Sequence, residues 1–203
     1  MRDIEIRQKQ KEVLERIRKR SADFGRVSVS VVYLLLDCSG SMEGQKLAQA
    51  KRGAINFAED ARGKGYAVGL IKFSSTATHL CEPQQKISAL NQYLERMTAG
   101  GGTNMTDAIL LALQKMSDRK GYRAMVIVTD GMPDSQETAS DAAREAKANG
   151  IDILTIGTDD ADRDFLAKLA SKTELSVKVL SDRFEEGITS MAKMLPLPGK
   201  GGR

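Results

Sequence analysis

Asp37, Ser39 and Ser41 place one carboxylate and two hydroxyls at spacing i, i+2, i+4 within Asp37-Cys38-Ser39-Gly40-Ser41-Met42. Small oxygen ligands grouped in one tight loop suit a hard cation better than thiolate or redox-metal chemistry. The loop directly follows the apolar run Val31-Val32-Tyr33-Leu34-Leu35-Leu36. Such a run, ended by a turn signal, reads as a strand buried on both faces, as in the middle of a parallel sheet. In open α/β sheets the crevice beyond the strand C-termini is where ligands bind. Asp, Ser and Gly after a strand also make ordinary turns, so this segment alone leaves both readings open.

In its D-x-S-G-S-M form the segment resembles the metal-ion-dependent adhesion site of von Willebrand factor A domains, in a prokaryotic, intracellular style. That resemblance implies two further ligands. A Thr in a Gly-rich loop is matched by Thr103 in Gly100-Gly101-Gly102-Thr103-Asn104, and an Asp ending a later buried strand by Asp130 in Met125-Val126-Ile127-Val128-Thr129-Asp130-Gly131. The resemblance covers roughly residues 28–195. Singly, the glycines could be a flexible link, Thr103 a helix N-cap and Asp130 a turn residue. Jointly, three segments bring hard oxygen ligands to one sheet edge, with no His or Cys where a zinc site needs them.

The expected metal ligands are therefore Asp37, Ser39, Ser41, Thr103 and Asp130. The implied metal is Mg²⁺, with Mn²⁺ or Ca²⁺ as substitutes. Asp37 and Asp130 would act mainly through waters, leaving a position for an Asp or Glu carboxylate of a partner protein. The implied function is a metal-dependent protein-binding module, a subunit or adaptor in an intracellular complex. The family also suggests an AAA+ ATPase-linked complex as the assembly.

Two alternatives carry different chemistry. In one, the protein is a structural adaptor whose metal only stabilises the fold. In the other, Asp37 is the nucleophile of a phosphohydrolase. That reaction uses a second Asp two positions on as general acid, and Ser39 stands there. No phosphate-gripping loop or dinucleotide-binding glycine pattern occurs. His79, the single histidine, falls on a different strand, so Ser39 and Ser41 have no base. The protein is expected not to be an enzyme.

The totals agree with one α/β domain of 203 residues. Aromatic residues are only 4% and Trp is absent, so the core must be mainly aliphatic. No apolar run approaches the length of a membrane span, and the charged first residues lack a signal-peptide core; a cytoplasmic protein without membrane attachment is expected. Residues 1–20 carry eight Lys/Arg against four Asp/Glu, the entire net charge of +4. Because the excess sits in one short arm, no nucleic-acid partner is expected despite the basic balance. Cys38 and Cys81 do not form a disulfide framework. The strands that the resemblance assigns them are not neighbours, so both are expected to be free.

The elements that must position the site alternate between strands and helices, which predicts a single doubly wound, mostly parallel sheet with helices on both faces and one short antiparallel edge strand. Residues 1–24 read as a basic helix or arm, 25–196 as the domain and 197–203 as a flexible tail. After the first strand, a helix over 44–61 buries Leu47, Ala50, Ala54, Phe57, Ala58 and Ala61. Strands follow at 67–73 and 78–81, then a helix over 84–96. The helix after the Gly-rich loop buries Met105, Ala108, Ile109, Ala112, Leu113 and Met116. A strand over 124–130 leads to a helix opened by a capping box at Asp134 and Glu137 and closed at Asn149-Gly150. A strand over 151–157, a helix over 163–171 and a half-exposed strand over 176–179 complete the sheet. The last helix opens with a box at Asp182 and Glu185, buries Phe184, Ile188, Met191, Ala192 and Leu195, and ends at Pro196.

Overall fold

A computed structural model describes residues 29–84, 86–158 and 160–198. The expected N-terminal arm and most of the expected tail lie outside these residues. Six strands form one sheet in the order β3-β2-β1-β4-β5-β6: β1 Val31–Asp37, β2 Ala67–Phe73, β3 Ala77–Gln84, β4 Arg123–Thr129, β5 Asp152–Gly157 and β6 Ser176–Lys178. All neighbours are parallel except β2 and β3, which are antiparallel. The α-helices among the described residues are α1 Gln45–Gly63, α2 Ile87–Glu95, α3 Met105–Met116, α4 Gln136–Ala148, α5 Arg163–Leu169 and α6 Phe184–Met194. None is long and apolar enough to cross a membrane.

The period-two geometry of a strand divides β1 between two cores. Val32, Leu34 and Leu36 face Phe57 of α1, Leu90 of α2 and Ile188 of α6. Val31, Tyr33 and Leu35 face Ile109 of α3, Ala143 of α4 and Leu169 of α5. Both faces are covered, which is why β1 reads as an unbroken apolar run rather than an alternating one.

The chain leaves β1 through α1 on one face and leaves β4 through α4 on the other. Because β1 and β4 are adjacent, their following loops part company and open a crevice at that edge.

Edge strand β3 is longer than expected and reaches Gln84, with register shifts between Val68 and Ile71 of β2. Pro83 is tolerated there because an edge strand does not need every N–H. Strand β2 lies between β1 and β3, and Cys38 and Cys81 are both buried and free.

Helix α6 is bound along the length of α1. A Cβ on Gly53 would lie 2.8 Å from the Ile188 Cβ and 2.9 Å from the Glu185 carbonyl oxygen. Neither is the free end of a flexible side chain. Gly→Ala normally stabilises a helix interior by up to about 1 kcal/mol; here the sign should reverse. Gly53→Ala is expected to destabilise the protein by roughly 1–3 kcal/mol through overpacking, as a lowered urea midpoint with an unchanged slope.

Candidate metal centre

Strand β1 ends on Asp37, whose side chain is fully buried. The next residue continues the ladder, Cys38 N donating to Phe73 O at 2.7 Å, and its side chain enters the α1-side core. Gly40–Met42 form a single 3₁₀ turn, anchored by the fully buried Met42. Gly44, at φ +79°, then turns the chain into α1. A strand end, one tight turn and a left-handed glycine thus hold Ser39 buried and Ser41 exposed.

Four of the five expected ligands meet in one hydrogen-bonded chain. Asp37 Oδ1 accepts from Ser39 N at 2.7 Å. The Ser39 and Ser41 hydroxyls are 3.1 Å apart. Ser41 Oγ donates to Asp130 Oδ1 at 2.8 Å. Asp130 immediately follows β4 and is buried. Thr129 Oγ1 closes the group by donating to Asp37 Oδ2 at 2.6 Å.

Thr103 joins the group differently. The Gly-rich loop is laced to the Asp37 loop by Gly100 N to Cys38 O at 2.8 Å and Gly40 N to Gly101 O at 3.1 Å. Gly101 has φ +85°, and a Cβ there would meet Ser75 Oγ at 2.6 Å. Thr103 N donates to Asp134 Oδ1 at 2.9 Å, and Asp134 N donates back to Thr103 O at 3.0 Å. The Thr103 hydroxyl makes no hydrogen bond to the other four residues. Nor is Thr103 the cap of α3, because Asn104 accepts from Asp107 N.

Sequence reasoning missed two residues. Asp134 does not cap α4; Ser135 does, accepting from Thr138 N, and Asp134 instead clamps the Thr103 backbone. Lys46, in the first turn of α1, donates to Asp130 Oδ2 at 2.7 Å and to Asp160 Oδ2 at 2.8 Å. A signal for Lys46 was present: a lysine in a helix's first turn opposes the macrodipole, and no acidic residue shares that turn.

Burial dominates the electrostatics of Asp37. It pushes the carboxyl up to about 6, against the hydrogen bonds from Thr129 and Ser39 and with some help from the Asp130 charge. Burial also pulls the Lys46 ammonium down, but its hydrogen bonds to Asp130 and Asp160 outweigh this and leave it raised.

A carboxyl raised on folding contributes stability that is complete below its unfolded value and is lost as pH rises through its folded value. Between about pH 4 and pH 6 the metal-free protein is therefore expected to lose on the order of 3 kcal/mol from this group. Chemical denaturation in EDTA across that range, compared with Asp37→Asn, checks it: the variant should lack this part of the slope.

The donor set fits a hard divalent cation. It offers two carboxylates and neutral hydroxyls, and no thiolate or imidazole. Among the described residues no three or more His, Cys, Asp or Glu side chains come together as a metal-holding group. An open cleft of about 320 Å³ adjoins Thr103, lined also by Asn104, Asp107, Asp134 and Ser135.

Comparison with known proteins agrees with this architecture. The sequence model of the von Willebrand factor type A domain matches residues 32–191. A UPF0353 protein of Mycobacterium tuberculosis is 31% identical over 147 residues, covering 63% of this chain and 44% of that protein. The chain thus spans less than half the length of such relatives. Among solved structures, the vWF domain of the type V pili tip protein Mfa5 from Porphyromonas gingivalis superposes with a TM-score of 0.73 at 14% identity, covering 83% of this chain and 95% of that one. Proximal thread matrix protein 1 from the mussel byssus, solved with a zinc-occupied MIDAS motif, gives a TM-score of 0.70 at 16% identity, covering 85% and 48%.

Proposed function

The chain belongs to the von Willebrand factor type A domain family, and on that premise we propose that it is a metal-dependent protein-binding module that captures a partner's Asp or Glu carboxylate at a Mg²⁺ site. One observation carries the proposal: the hydrogen-bonded chain Asp37–Ser39–Ser41–Asp130 at the edge where β1 and β4 diverge. Ser39 and Ser41 would contribute neutral oxygens, and Asp37 and Asp130 would hold water by their carboxylates. Thr103 would approach from the Gly-rich loop, which Asp134 clamps and which is hydrogen-bonded to the Asp37 loop. When bound, Mg²⁺ supplies an electrophilic coordination position for an incoming carboxylate. With few direct anionic donors, that bond is charge-assisted and favours an acid over its amide. Met132, half exposed two residues beyond Asp130, gives the rim an apolar contact. The mussel protein with its zinc-occupied motif supports the metal assignment by analogy.

This reading contains no catalysis. His79 is engaged with Tyr33 and Glu82 rather than with the site carboxylates. The setting to test first is a cytoplasmic complex, including an AAA+ ATPase-linked assembly.

A second reading, a structural adaptor whose metal only stabilises the fold, is favoured by one fact: Asp37 and Asp130 are both buried, and a cation between them would relieve two buried charges. Thermal melting and affinity capture separate the two. Mg²⁺ or Mn²⁺ at about one hundred times its dissociation constant should add about 2.7 kcal/mol to the stripped protein. Partner capture from host extract should vanish in EDTA and return with Mg²⁺. A melting shift with capture that survives EDTA would favour the adaptor, and no shift at all would remove the metal site.

A further inference from the structure

We propose that Lys46 is a resident cation of this site, exchanged for the divalent ion between two carboxylates, so that it sets the concentration at which the site loads. The inference rests on the metal reading above and concerns its regulation. The geometry places one ammonium between two acceptors of opposite character. Asp130 is fully buried at its side chain, whereas Asp160 is 65% exposed. The Lys46 side chain itself is 23% exposed, so it sits at the mouth of the crevice.

The charge balance explains why a lysine should be there. Asp37 and Asp130 are both buried at one sheet edge. The partners of Asp37 are neutral, Ser39 N and Thr129 Oγ1. Among the described residues, Lys46 is the one cation bonded to either carboxylate. Without it, Asp130 would be a buried charge with only a serine hydroxyl to hold it, a costly arrangement. The lysine occupies a helix N-terminus, where the macrodipole disfavours it. A locally unfavourable choice is expected where a site, rather than the helix, benefits.

Asp160 supplies the second half of the device. A divalent ion beside Asp130 repels the ammonium. Lys46 can then release Asp130 while keeping Asp160, without losing all of its hydrogen bonds. Loading is thus an exchange of one positive charge for another at Asp130. The metal-free fold stays supported, and metal affinity is lower than the oxygens alone would give.

The two residues therefore carry opposite expectations. Lys46→Met should bind Mn²⁺ about tenfold more tightly, the order of one hydrogen bond to a charged group, and should melt lower than wild type in EDTA. Asp160→Asn weakens the alternative acceptor from a carboxylate to a neutral amide oxygen, so it should bind Mn²⁺ several-fold more weakly. Free Mn²⁺ followed by electron paramagnetic resonance gives both affinities, with circular dichroism to establish folding. Equal or weaker binding by folded Lys46→Met overturns the proposal. Should Lys46→Met not fold in EDTA, Asp160→Asn decides alone: weaker binding supports the exchange and unchanged affinity overturns it. If wild type and both variants bind no Mn²⁺, the metal reading fails and takes this proposal with it. Tight binding by wild type that Lys46→Met leaves unchanged spares the metal reading and removes only the exchange.

Discussion

Asp37→Asn is expected to abolish metal-dependent partner capture while leaving the fold intact. The asparagine is isosteric, and its carbonyl oxygen can still accept from Ser39 N. Its amide can donate to Thr129 Oγ1, because a hydroxyl accepts as well as donates. The local hydrogen bonds therefore survive and only the charge is lost. The site would then offer one carboxylate instead of two. For a carboxylate acting through water, the loss of metal affinity should be roughly 10–100-fold or more. Mn²⁺ titration and EDTA-controlled capture read this directly. Above pH 6 the metal-free variant should be at least as stable as wild type, because burying the Asp37 charge disfavours folding. A variant that binds metal and partner normally would move the recognition site away from β1. One that unfolds would make Asp37 a structural residue.

Gln49→Leu should produce the largest loss of stability. Gln49 lies on α1, yet its side chain serves α6: Oε1 accepts from Phe184 N at 3.1 Å and Glu185 N at 3.3 Å, while Nε2 donates to Ser181 O at 2.9 Å. Helix α6 has no cap of its own, since Arg183 at its N-cap makes no side-chain cap bond. Leucine fits the volume but leaves two helix N–H groups without their acceptor, one of them buried. At roughly 1–3 kcal/mol for the unsatisfied buried N–H and about 0.5–1.5 kcal/mol for each of the other two lost bonds, the total should be about 2–6 kcal/mol. A urea melt gives the magnitude. Hydrogen exchange should show 184–194 losing protection before the sheet does. Uniform protection would mean that apolar packing alone secures α6.

The sheet was legible because its central strands are buried on both faces and its helices carry apolar stripes at helical spacing. The meeting of Asp37 and Asp130 at one sheet edge was legible because they stand at the ends of strongly apolar strands. The failures at the helix starts and at Lys46 share one cause. Local capping boxes predicted Asp134 and Asp182 as helix starts, but Asp134 is drawn to Thr103 N, 31 positions away, and α6 is capped by Gln49, 135 positions away. Lys46 meets Asp130 across 84 positions and Asp160 across 114. Periodicity carries no information about which distant polar groups will meet. Edge strand β3 was underestimated because it is only partly buried and lacks the unbroken apolar run that marks β1 and β4.

The parallel course of α1 and α6 has a mechanical consequence. Both helices run from the site edge to the opposite edge, where Lys64 Nζ holds the Lys193 and Leu195 carbonyls and Tyr66 donates to Pro196 O. Ser30 lies at that same far edge, its carbonyl accepting from Ala67 N. Both ends of the described chain therefore emerge opposite the crevice. Tension between a group held at Asp37 and the N-terminal end of the described chain would run lengthwise along β1. That strand is held by seven residue pairs to β2 and six to β4. Under such a load these rungs are sheared together instead of being peeled one at a time, so the sheet resists a pull between the crevice and the N-terminal end along its strongest axis.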